Sequence, residues 1–174
     1  MIMSRVRATR LIGSAFGLVF IQANAGALPN AVGVPLRVLA LAALLLLGVF
    51  NRRPVRESTT SSPPHFGRYY WLVAAAEVAG IAVGLAVINR ALHTPAATAG
   101  WIAFVVGVHF FGLATAWNRP PLRILGGSMA VCGAVGMALA FLGAPAAAIS
   151  TVAGILPGML LFGSVWWSSR ATAQ

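Results

Sequence analysis

The chain reads as an all-α membrane protein, a bundle of six transmembrane helices forming one polytopic domain over residues 1–174. Three observations carry that expectation. Of the 174 residues, 59% are hydrophobic and 8% are charged, with a mean hydropathy of +0.88; an ordinary soluble domain has about 25% charged residues. Six apolar runs have the roughly 17–25 residues that a helix needs to cross a hydrocarbon core of about 30 Å. The basic residues, all arginine, gather in alternate turns. A backbone in lipid must satisfy its own hydrogen bonds, and the runs lack the alternation of barrel strands, so the spans are helices.

The first run covers about 11–28, follows Arg5, Arg7 and Arg10, and ends at Pro29 and Asn30. It has a rival reading as a signal peptide, with a basic start, an apolar segment and Ala23-Asn24-Ala25 as cleavage signal. The apolar run resumes through Gly26, Ala27 and Leu28, which favours a retained helix. The second run, about 34–50, ends at Asn51-Arg52-Arg53-Pro54. Residues 51–68, rich in Ser, Thr and Pro, form a cytoplasmic linker. The third run, about 69–88, opens with Tyr69, Tyr70 and Trp71. The fourth, about 100–117, opens at Trp101 and closes at Trp117. The fifth covers about 124–142, and the sixth, about 146–167, closes with Trp166 and Trp167. These aromatics fit the two interfaces of a bilayer.

Arg52, Arg53, Arg56, Arg68, Arg119, Arg123 and Arg170 fall on the same side as the N-terminal arginines; Arg37 and Arg90 fall on the other. The positive-inside rule then places the protein in the cell membrane as a multi-pass protein with both termini cytoplasmic. The net charge of +10 is read as attraction to anionic headgroups of the lipid bilayer, with no nucleic-acid partner. Arg37 and Arg90 read as interfacial snorkelling residues. A homo-oligomer or a further membrane partner is left open.

Arg10, Arg68 and Arg123 each stand before an odd-numbered helix, and Asn51-Arg52-Arg53-Pro54 resembles Asn118-Arg119-Pro120-Pro121. That spacing suggests three helical hairpins in tandem. Hairpins with basic turns would look alike in any case.

Glu77 is the one acid inside a span; the chain has no Asp, and the other acid, Glu57, falls in the linker. An ionisable group at mid-membrane costs roughly 2.5–3.5 kcal/mol, so its retention points to a partner or a function. Eight residues beyond Tyr69, Glu77 lies about 12 Å deep at 1.5 Å per residue. His109 lies equally far before Trp117 on the next, antiparallel helix. The two are expected to meet. Ala74, Gly80 and Gly84 share a face with Glu77, and Gly112 and Ala116 share one with His109, which suits close packing of these helices. Gln22 and Asn24 are further costly polar residues that could face the same interior. Thr115, Ser128, Ser150 and Thr151 are expected to bond their own backbones. Pro157, between Gly154 and Gly158, predicts a kink or local unwinding of the sixth helix.

Catalytic and cofactor sites find little material here. One membrane His and one Glu are too few for a three-ligand zinc centre, and a single intramembrane imidazole cannot make bis-His haem. Cys132 is the one cysteine, so no intrachain disulfide can form, and His65 and His93 read as loop residues. No catalytic residue, cofactor or metal is expected, and an enzyme is disfavoured. The run Gly107-Val108-His109-Phe110-Phe111-Gly112-Leu113-Ala114 resembles a G-x-H-F-x-x-L-A pattern of small uncharacterised bacterial integral membrane proteins. The resemblance covers helices three to six; it implies a similar bundle and marks His109. The functional expectation is passage or sensing of a small solute or ion, proton-linked through Glu77 and His109. Its alternative is a non-catalytic membrane scaffold or complex subunit in which the pair is structural.

Overall fold

The computed structural model describes residues 5–50, 67–118 and 120–171. Residues 51–66 of the expected linker, with Arg52, Arg53, Arg56, Glu57 and His65, lie outside the described residues, as does Arg119. The described chain is helical, with no strand: α1 (Arg5–Asn24), α2 (Asn30–Phe50), α3 (Arg68–Ala86), α4 (Thr98–Ala116), α5 (Pro120–Phe141), α6 (Ala146–Ser150) and α7 (Leu156–Ala171). A π turn, Val87–Ala91, extends α3, and another, Thr151–Ile155, joins α6 to α7 in one continuous helix. Five of these helical stretches are long and apolar enough to cross a membrane: Asn30–Val49, Arg68–Ala91, Pro95–Ala116, Pro120–Phe141 and Ala146–Ser168. The protein is a multi-pass membrane protein. α1 has 20 residues, but Arg5, Arg7 and Arg10 occupy its first third.

Local chemistry sets the helix ends. Leu28 is extended, at ψ 157°, as the residue before Pro29 should be. α1 therefore stops at Asn24, and a 3-10 turn, Ala25–Ala27, completes a run expected to be helical to 28. α5 begins at Pro120 rather than at 124, because first-turn residues need no intrahelical partner for their N–H groups. Gly143, at φ +71°, ends α5; Ala144 N donates to Leu139 O at 2.9 Å and Gly143 N to Ala140 O at 3.1 Å. This is the left-handed cap that glycine adopts without steric cost.

Pro157 is fully buried, and the chain before it widens instead of unwinding. Its ring would strike the carbonyl four residues earlier in a regular helix, and it has no N–H to donate. In the π turn the hydrogen bonds reach one residue further, with Leu156 N donating to Thr151 O. The disruption is absorbed there.

The central core joins four helices: Phe20 from α1, Ala103 and Val106 from α4, Leu125 and Met129 from α5, and Leu161 from α7. α4 and α5 make the most extensive pairing, followed by α1 with α7; α2 packs mainly on α1 and α3 mainly on α4. The three sequential hairpins thus occupy unequal places. In the first the second helix is peripheral, and in the second it is the first.

Glycine makes the α4–α5 contact possible. A Cβ on Gly107 would lie 2.7 Å from Gly126 O, and one on Gly100 would lie 2.8 Å from Gly133 O. The two backbones touch where ordinary side chains would hold them apart, a mode of packing suited to lipid.

Candidate functional site

α3 and α4 meet along an antiparallel seam, and the polar pair lies in its middle. At one end Tyr70 stacks on Trp117, with centroids 6.2 Å apart and planes 13° apart. Next, Gly112 is the gap filled by Val73; a Cβ there would lie 2.9 Å from Val73 Cγ1. Then His109 Nδ1 stands 3.2 Å from Glu77 Oε2. Beyond it Gly80 faces Val105, and the Trp101 indole fills the space beside Gly84. Trp101 Nε1 donates to Gly80 O at 3.1 Å. Steps of three and four residues, along α3 from Tyr70 to Gly84 and along α4 from Trp101 to Gly112, keep these positions on facing stripes.

The pair is shielded but not sealed. The His109 and Glu77 side chains are 12% and 18% exposed. Although the charged atoms are within ion-pair distance, Nδ1 makes no aligned hydrogen bond, so the attraction rests on proximity. The imidazole also lies beside the backbone carbonyl of Val73, one turn before Glu77, and meets Phe110 edge-on at 6.0 Å. One side chain on α4 thus reads two groups on α3.

Gln22 and Asn24 belong to a different part of the molecule. Gln22 Nε2 donates to Arg37 O at 3.1 Å, linking α1 to α2. Asn24 Nδ2 donates to Phe20 O at 2.9 Å, and its side chain occupies the space beside Gly154 of the π turn. Neither is brought to Glu77 or His109, because α1 packs on α7 and α2 while α3 leans on α4. Thr115 and Thr151 donate to Phe111 O and Ala147 O, four residues back. Of the face expected beside the pair, Gly80, Gly84 and Gly112 lie in the seam, whereas Ala116 is exposed.

Two contributors escaped the sequence reading. The Val73 carbonyl has no side-chain signature. Trp101, read as an interfacial marker, is half-buried against α3; its four-residue multiples from His109 were the available signal.

Chemically, the seam can hold one proton between a carboxyl and an imidazole. With one proton the pair is neutral overall, as ion pair or as two neutral groups; gain or loss of a proton leaves an uncompensated charge between two helices. Among the described residues no group of three or more His, Cys, Asp or Glu side chains gathers. Comparison with protein-family models, with curated proteins and with solved structures finds no match.

Proposed function

We propose that this chain is a six-span protein of the cell membrane, with both termini cytoplasmic, that senses or passes a small solute or ion in a proton-linked manner. The observation that carries the reading is the Glu77–His109 contact, which ties outlying α3 to core helix α4. A change in its protonation alters the energy of that one seam, so α3 is the element a proton would move. Sensing is favoured over passage, since Gln22 and Asn24 are engaged elsewhere and do not extend the pair into a relay.

The span count rests on parity. Arg10 Nη2 donates to Ser168 O at 2.9 Å, a contact that supports a common side of the membrane for the start of α1 and the end of α7. An even number of crossings fits that arrangement, with α1 as the sixth beside the five long apolar helices. The arginine-rich turns support a cytoplasmic assignment for that side. The motif around His109 fits this use of α4: Gly107 faces α5, while His109 and Gly112 face α3.

A second reading, a scaffold or complex subunit, is favoured by the backbone contacts of Gly100 and Gly107, which suit a rigid frame. Reconstituted vesicles separate the two. The sensing reading expects the distance between spin labels on α3 and α4 to change with pH in wild type and to lose that response in Glu77→Gln and His109→Ala. Proton-linked passage adds a pH-dependent flux that both variants abolish. A pH-independent distance with no flux, and only lower detergent stability in the variants, leaves the scaffold.

A further inference from the structure

Arg37 is an ionisable side chain that the fold turns back onto a neighbouring helix, and the α3–α4 seam makes no use of it. It lies seven residues after Asn30, the first of α2, hence about 10 Å along that helix. Its side chain returns toward the α1–α2 connection. Nη2 donates to Gln22 O at 3.4 Å, while Gln22 Nε2 donates to Arg37 O at 3.1 Å. Gly26, exposed in the 3-10 turn, admits the guanidinium; a Cβ there would lie 2.8 Å from Nη2. The exchange ties the Arg37 backbone and, by one bond, its guanidinium to Gln22.

Its donors are far from satisfied. One long bond engages one of them, and Nε is shielded with no partner. Among the described residues the one carboxylate side chain is Glu77, and it faces His109 on α4. Capping the last turn of α1 accounts for Nη2, but not for the remaining edge of the fork. A shielded N–H without a partner is costly, and a planar guanidinium presents paired N–H groups that match two oxygens of a phosphate. We infer that Arg37, held by Gln22 and admitted by Gly26, forms an anion site at the α1–α2 turn that takes a phosphate group, from a lipid headgroup or from free phosphate.

The test titrates the detergent-purified full chain with short-chain phosphatidylglycerol and, separately, with inorganic phosphate. Binding is followed by thermal shift and by native mass spectrometry. Wild type is expected to bind saturably, and Arg37→Gln to weaken binding about tenfold or more, the loss of one charge-assisted contact. Arg37→Lys keeps the charge and stem but not the fork and should also bind more weakly; it decides the matter if Arg37→Gln fails to fold. Gly26→Ala, which crowds Nη2, should weaken binding, and Arg90→Gln, at an exposed cation, should not. Response to the lipid alone assigns a headgroup; response to both probes assigns the phosphate itself. Absence of saturable binding, equal affinity in wild type and both Arg37 variants, or an equal loss in Arg90→Gln overturns the site.

Discussion

Glu77 faces the one helix on which α3 packs extensively, and its carboxylate meets the one imidazole there. An interhelical polar contact of this kind contributes about 0.6–2 kcal/mol. Glu77→Gln and His109→Gln should each lower stability, and the double variant should lose less than the sum, by about that coupling. Unfolding of the four proteins in mixed micelles measures it; strict additivity would show that the groups do not interact. Trp101→Phe keeps the ring beside Gly84 and removes the donor to Gly80 O. It should cost about 0.5–1.5 kcal/mol in the same assay. The pairing of 77 with 109 was legible in the sequence because two quantities sufficed, the turn positions marked by arginine and the rise of a helix. The Val73 carbonyl was not, since every residue carries one. Gln22 and Asn24 misled for a related reason: polarity says that a side chain needs a partner, not which helix supplies it.

At the scale of the element, each helix shows a division of faces that composition alone conceals. α4 sets Gly100, Gly107 and Ala103 toward the core and His109 and Gly112 toward α3. Gly107→Ala would bring a Cβ to 2.7 Å from Gly126 O and 2.8 Å from Ala130 Cα. Backbone atoms cannot rotate away, so the helices must separate, at a cost of about 1–3 kcal/mol. Gly48→Ala meets nothing within 4 Å and should stay within about 0.5 kcal/mol of wild type. Equal midpoints for the two variants would contradict the backbone contact. Helix positions were readable from length and hydropathy, to within a few residues. Neighbour order was not, because glycines recur on nearly every helix and each reads equally as an interface. The form taken by the Pro157 disruption was also hidden, since the missing N–H permits a kink, an unwound turn or the π turn observed.

At the scale of the whole molecule, the contact between the first and last long helices joins the two ends of the described chain. Along one line Arg10 reaches Ser168 O, Gly13 faces Val165, Gly17 meets Gly158 and Asn24 lies beside Gly154. This antiparallel run covers α1 from Arg10 to Asn24, and Phe20 carries it into the central core. Cleavage beside Ala25 would remove that side of the core, so the packing favours retention of α1 over its release as a signal segment. A cysteine pair tests this directly. In a Cys132→Ser background, Gly13→Cys and Val165→Cys place two thiols close together, since a Cβ on Gly13 would lie 3.2 Å from Val165 Cγ2; a disulfide needs Cβ atoms roughly 3.5–4.5 Å apart. Mild oxidation of membranes should give an intramolecular link in a chain that still carries α1, while Gly48→Cys with Val165→Cys should give none. A mature chain starting after Ala25, or linking at both pairs alike, would remove the basis for an even number of spans and for termini on one side of the membrane.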